Sequence, residues 1–200
     1  MKVFAVVPVR GLRQSKSRLD PVMENGERED LVAWMLGQVL TVLRESGVVE
    51  RACVVSPDPG ALRIADRAGA HGLRQQSVGL NPALEEARQR AFAAGAGALL
   101  VVPADLPLLH HTDIRELVGA AERCPAVIPP DDEERGTNAL LLSPPDLTDF
   151  HFGPDSFHLH RRAAARAGVE ARVVSTPGLA FDLDTPTDLA RLRELERRSS

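Results

Sequence analysis

Short, unbroken apolar runs alternate along this chain with segments of helical period, and few architectures accommodate that alternation. Residues 3–9 and 98–102 are continuous apolar stretches, the pattern of strands buried on both faces. Between them the period changes. Leu31, Trp34, Met35, Val39, Val42 and Leu43 recur at three- and four-residue spacing, which predicts an amphipathic helix over 27–46, stopped by Gly47. Arg51–Ser56 reads as a second strand, and Ser56-Pro57-Asp58-Pro59-Gly60 turns into a helix that runs through Ala68 and ends at Gly69. A short strand is expected at 71–75 and a helix at 81–94, with Asn81 as N-cap and Pro82 in its first position. Helices at 112–122, 156–167 and from Pro186 onward, with strands at Ala126–Ile128, 138–142 and 171–174, complete the pattern. The expectation is an α/β fold, a mostly parallel, helix-covered sheet. With no repeat or linker in view, residues 1–200 read as a single domain.

Ligands of such sheets bind outside the carboxyl ends of the strands. The loops at 8–19, 79–82, 103–107 and 130–138 leave or approach those ends, so chemistry is expected there. Composition removes several alternatives. Twenty-four basic against 28 acidic residues, with no separate basic block and seven aromatics (six Phe, one Trp), argue against a nucleic-acid-binding surface. No apolar run reaches the roughly 18 residues of a membrane span, and the N-terminal stretch does not read as a signal peptide, so the cytoplasm is the expected location. Cys53 and Cys124 lie 71 residues apart, which excludes a paired-cysteine motif and predicts two buried thiols in a reducing compartment. Lysine is rare, only Lys2 and Lys16 against 22 arginines, so a lysine kept in a loop stands out.

Several residues could carry chemistry. Asp105 follows the 98–102 strand between Pro103 and Pro107, placed either to hold a cation over the sheet or to bond its own turn. In Phe181-Asp182-Leu183-Asp184 the two carboxylates lie at i and i+2, and in an extended segment they share a face. Two such charges repel unless a cation lies between them, and magnesium takes one or two carboxylates together with substrate phosphates. Helix capping by Asp184 or Thr185 is the alternative, though it leaves Asp182 unexplained. The loop from Arg10 to Leu19, with Lys16, could neutralise a triphosphate, but it matches neither a Walker loop nor a dinucleotide fingerprint. Gly136-Thr137-Asn138 and Phe152-Gly153-Pro154-Asp155-Ser156 combine close-approach glycines, hydroxyls and a helix start into a candidate anion site. His151, His158 and His160 are near in sequence, but 158 and 160 face different sides of a helix and predict no metal site. His110 and His111 read as solvated loop.

Together, Pro8-Val9-Arg10-Gly11-Leu12 with Lys16-Ser17-Arg18-Leu19, Gly79-Leu80-Asn81, Ala104-Asp105-Leu106-Pro107, Gly136-Thr137-Asn138, Phe152-Gly153-Pro154-Asp155-Ser156-Phe157 and Phe181-Asp182-Leu183-Asp184-Thr185-Pro186 resemble one family: the 2-phospho-L-lactate / phosphoenolpyruvate guanylyltransferases of coenzyme F(420) biosynthesis. The resemblance runs in order from residue 3 to about 190 and implies a GT-A-like nucleotidyltransferase fold. It implies that Asp105, Asp182 and Asp184 hold magnesium, and that Thr137, Gly153 and Ser156 grip the acceptor, phosphoenolpyruvate. It further implies that Pro8, Val9, Arg10, Lys16, Asn81 and Ala104 bind GTP, with Lys16 and Asp105 catalytic. The family usually has Lys where this chain has Arg10. A downstream transferase that joins the product to a deazaflavin is the implied partner. The alternatives are the same reaction on 2-phospho-L-lactate or 3-phosphoglycerate, another nucleotidyltransferase of this fold, which would normally open with a Gly-rich loop, or a non-catalytic nucleotide-binding module.

Overall fold

Val3–Pro8 forms strand β1, and its apolar run is continuous because both of its faces are covered. Val3, Ala5 and Val7 enter one core cluster while Phe4 and Val6 enter another on the opposite side. A computed structural model describes residues 1–199. The further strands are β2 (Arg51–Ser56), β3 (His71–Arg74), β4 (Ala98–Val101), β5 (Ala126–Ile128), β6 (Leu140–Leu142) and β7 (Arg172–Val173). They join one seven-stranded sheet in the order β3-β2-β1-β4-β6-β5-β7. Pairing is parallel except where β6 lies antiparallel to both β4 and β5. The mostly parallel sheet expected from the alternation is therefore present. Because β6 runs against its neighbours, the start of β6 lies at the same rim as the carboxyl ends of β1 and β4.

Helices α1 (Asn25–Glu45), α2 (Pro59–Arg67), α3 (Leu80–Ala93), α4 (His111–Ala121), α5 (Ser156–Arg166), α6 (Pro177–Ala180) and α7 (Pro186–Ser199) cover the sheet. Residues from α1, α2, α4, α6 and α7 pack on the Val3 side, those from α3 and α5 on the Phe4 side. No helix among the described residues is long and apolar enough to cross a membrane.

Five local expectations shift. In α1 the buried stripe is Val32, Met35, Leu36, Val39, Leu40 and Leu43, whereas Trp34 is 41% exposed. The helix is apolar over so wide an arc that period alone did not centre its inner face. Helix α3 begins one residue early, at Leu80, with Gly79 in the capping position at φ +104°, so Asn81 lies inside the first turn instead of capping it. Residues 138 and 139 stand outside β6 because both their N–H groups turn to the Pro129 carbonyl. Both cysteines are free and only partly buried. His110 caps α4, in a reciprocal capping box with Asp113, rather than standing in solvated loop.

Candidate active site

At the rim formed by the ends of β1 and β4, one ammonium group joins two distant segments. Lys16 Nζ donates to Asp105 Oδ2 at 2.6 Å and to Asp184 Oδ1 at 2.5 Å. The Lys16 side chain is 7% exposed. Its backbone is left-handed, φ 60° and ψ 36°, a conformation that costs a non-glycine residue of order 1–3 kcal/mol and is concentrated at functional sites. The loop that presents it is tied down on both sides. Asp58, the N-cap of α2, accepts from Leu12 N (2.8 Å) and Gly60 N (2.7 Å), while both Ser15 N and Ser15 Oγ donate to the Gly11 carbonyl. Asp58 is a positioning residue that sequence reasoning assigned only to a turn.

Asp105 does not bond its own turn. Its carboxylate meets Lys16, and its carbonyl accepts from Leu183 N at 3.0 Å. That bond brings the 181–184 segment to the end of β4. Phe181 and Leu183 are buried, with Asp182 and Asp184 at the intervening positions, the alternation expected of an extended segment. Capping does not use either acid. Thr185 Oγ1 accepts from Asp188 N, and the Asp188 carboxylate accepts from Asp184 N, Thr185 N and Thr185 Oγ1, so α7 is capped by the Thr185/Asp188 pair. Asn138 completes the assembly. Its buried amide Nδ2 lies 2.9 Å from the Leu179 carbonyl, 3.2 Å from that of Ala180 and 3.4 Å from Asp182 Oδ1.

Electrostatics follows from this crowding. Burial, then the charges of Asp105 and Asp184, push the Asp182 carboxyl up to about 6 against the opposing pull of Asn138 and Lys16. For Lys16, burial works against the charged form, but Asp105 and Asp184 outweigh it and the ammonium is held above its ordinary range. Arg18 Nη1 stands 3.5 Å from Asp184 Oδ2. Among the described residues no group of three or more His, Cys, Asp or Glu side chains is arranged to hold a metal. The cation found between Asp105 and Asp184 is the lysine.

A cavity of about 800 Å³ opens over this rim, within the range of roughly 300–1,000 Å³ usual for small-molecule sites. Pro8, Val9, Arg10, Lys16, Ala104, Asp105 and Asp184 line it, and the 75–80 loop forms another wall. Glu86 shapes that wall by accepting from Gln76 N and Ser77 N. The remaining expected residues stand elsewhere. Asn81 clamps the 152 loop through two bonds, Nδ2 to the Phe152 carbonyl (3.0 Å) and Phe152 N to Oδ1 (2.9 Å). Thr137 is 6% and Ser156 2% exposed, neither lining the cavity. Gly136 is required for a reason internal to the chain. Asp131 Oδ2 would lie 2.5 Å from a Cβ there, and it accepts from Gly136 N. Gly153 has φ +130° and open space beside it, which is what a close approach to a ligand needs.

Residues 1–194 match the family described as "Guanylyl transferase CofC like". The chain belongs to that family. A phosphoenolpyruvate guanylyltransferase from Rubrobacter xylanophilus is 54% identical over 193 residues, covering 96% of this chain and 94% of its own. A 3-phospho-D-glycerate guanylyltransferase from Colwellia psychrerythraea is 31% identical, covering 96% and 91%. Among solved structures, a putative nucleotide-diphospho-sugar transferase from Desulfovibrio desulfuricans superposes with TM-score 0.80 at 19% identity, covering 100% of this chain and 90% of that one. A nucleotidyl transferase from Methanothermobacter gives 0.66 at 16%, covering 100% and 99%. At those identities the likeness establishes the GT-A-like nucleotidyltransferase fold.

Proposed function

We propose that this chain transfers GMP from GTP to the phosphate of phosphoenolpyruvate, giving enolpyruvyl-diphospho-guanosine and pyrophosphate for coenzyme F(420) biosynthesis. The observation that carries it is Lys16, strained and buried, held between Asp105 and Asp184 at the floor of a cavity sized for a nucleotide. The name of the Rubrobacter relative supports the acceptor.

The residues fit a magnesium–nucleotide complex. Asp105, Asp182 and Asp184 are hard oxygen donors, and the Asp182 carboxyl is raised by burial first and then by the charges of Asp105 and Asp184. Magnesium characteristically uses one or two carboxylates and completes its shell with phosphate oxygens and water, and Asp105 and Asp184, which line the cavity, are the residues that would hold it together with Asp182. When bound, the ion would neutralise charge on the triphosphate. Lys16 and Arg10 line the same cavity and bring positive charge to the phosphates. Lys16 exchanges its two carboxylate partners for phosphate oxygens when the nucleotide enters. Phe152 lines the cavity and Gly153 follows it; the acceptor phosphate is assigned to the edge of the cavity at Gly153, with Thr137 and Ser156 behind it, and Asn81 fixes the loop that carries Gly153.

The acceptor's phosphate oxygen, ionised at neutral pH, forms a bond to the α-phosphorus of GTP. The bond to the bridging oxygen breaks, and pyrophosphate leaves with the electron pair. No general base is needed, so rate comes from in-line positioning and charge neutralisation. The labile product passes to a transferase that joins it to the deazaflavin. Incubating the purified chain with GTP, magnesium and each of phosphoenolpyruvate, 2-phospho-L-lactate and 3-phospho-D-glycerate tests this. Phosphoenolpyruvate should give the fastest pyrophosphate release and a product of matching mass. Faster turnover of either other acceptor overturns the choice of acceptor, and no product with any of the three overturns the activity.

A further inference from the structure

His160 is 1% exposed, and the chemistry above makes no use of it. It sits on the inward stripe of α5 with Ser156, Phe157 and Ala164. Its ring is in T-shaped contact with Phe152, with centroids 4.8 Å apart. Each ring nitrogen meets a different segment. Nδ1 lies 3.0 Å from Thr137 Oγ1, and Nε2 lies 3.0 Å from the backbone N of His151. A third bond, from Phe157 N to the Arg135 carbonyl, holds the start of α5 to the same 135–137 loop.

These partners determine where the ring proton is. The His151 N–H can only donate, so Nε2 is the acceptor and carries no hydrogen. The hydrogen of the neutral ring is then on Nδ1, and the Thr137 hydroxyl must accept it. Once Oγ1 accepts from Nδ1, its own hydrogen is left to donate in another direction. A protonated imidazole would set two donors against each other at Nε2. Burial, then the His151 ring, hold His160 down to about 4, so the neutral form persists through the working range of such an enzyme.

We propose that His160 is a positioning residue for the acceptor: its Nδ1–H orients the Thr137 hydroxyl to donate to the acceptor's phosphate, while its Nε2 ties α5 to the His151 backbone and serves the fold. One imidazole thus bridges the 137 and 151 segments and sets the polarity of the hydroxyl on the first of them. This deepens the proposed function and rests on Thr137 gripping the acceptor. Asn at this position brings an amide N–H to about where Nδ1 stands, whereas Gln brings its amide to about where Nε2 stands. The two substitutions therefore separate the two bonds.

The test is steady-state kinetics with GTP, magnesium and phosphoenolpyruvate, together with thermal unfolding, on His160→Asn, His160→Gln, His160→Leu, Thr137→Val and the Thr137→Val/His160→Leu double variant. Thr137→Val should raise the KM for phosphoenolpyruvate about 10–100-fold, the size of one hydrogen bond to a charged group. His160→Leu and His160→Gln should raise it roughly 10-fold with the GTP KM held within about twofold, and the double variant should be no worse than Thr137→Val alone. His160→Asn should keep the acceptor KM near wild type while lowering the melting temperature. An unchanged acceptor KM in Thr137→Val would overturn the acceptor site itself. If Thr137→Val behaves as expected but Gln and Asn are indistinguishable, or the His160→Leu factor multiplies in full onto Thr137→Val, His160 is a packing residue and the positioning role is refuted. Should His160→Leu fail to fold, the Asn/Gln contrast decides the matter alone.

Discussion

Asp182→Asn separates the demands of the fold from those of the reaction, because the charge it removes serves only the second. In the folded chain the Asp182 carboxyl is held at about 6, against an ordinary 3.8, by burial first and then by Asp105 and Asp184. The raised value fixes the sign. Stability associated with the protonated carboxyl is complete below 3.8 and is lost as pH rises through about 6. At pH 7.5 the ionised group costs the fold at most about 3 kcal/mol, at roughly 1.4 kcal/mol per pH unit of displacement. Solvent reaches a substantial part of Asp182 and screens it, which roughly halves the figure to ~1–2 kcal/mol. Asparagine carries no charge, so the variant should melt about 3–6 °C higher at pH 7.5 in chelator without nucleotide. The gain should shrink through the window from 6 to 3.8 and vanish below it. Turnover should nevertheless fall by ~10²-fold or more, the usual cost of losing an electrostatic contact to a transition state. Calorimetric scans at pH 7.5 and pH 3.5 check the first part and pyrophosphate release the second. An unchanged or lowered melting point at pH 7.5, or an equal gain at both pH values, would refute the account of charge crowding.

Two further outcomes follow from the supports around the site. Asp58→Ala removes the acceptor of Leu12 N and Gly60 N; it should raise the GTP KM several-fold while leaving the acceptor KM within about twofold, since it frees the loop bearing Lys16 and costs one cap of about 1 kcal/mol. Thr185→Ala breaks the capping pair with Asp188 at the head of α7; urea unfolding should show a loss of about 1 kcal/mol, with turnover reduced far less than in Asp182→Asn.

Much of the architecture was legible because it follows from periodicity. β1 and β4 are apolar throughout since both faces of the sheet are covered, and the alternation of Phe181 and Leu183 with two acids puts the acids on one face. Asp105 was legible as a carboxylate at a strand's end, and Lys16 as a rare lysine in the loop after β1. The partnership of Lys16 with Asp105 and Asp184 was not, because it joins positions 89 and 168 residues apart, and spacing along the chain carries no signal over such separations. Asn138 and His160 were passed over for a related reason. Each acts through bonds to backbone or to a second side chain that only the folded loops bring near. Asn81 had the right residue type for a cap, but Gly79 opens the helix earlier and frees its amide for Phe152. The 152–156 segment was recognised for its glycine and serine, yet the side chains that bond its backbone and that of the adjoining His151 are Asn81 and a histidine four residues into the next helix.

Pyrophosphate release from GTP and phosphoenolpyruvate, measured on the wild-type chain beside Lys16→Met and Asp105→Asn of verified fold, bears most directly on the catalytic centre. Both variants should lose ~10²-fold or more in kcat/KM. Wild-type rates in either one would mean that the lysine-bridged carboxylates at this rim do not carry the transfer.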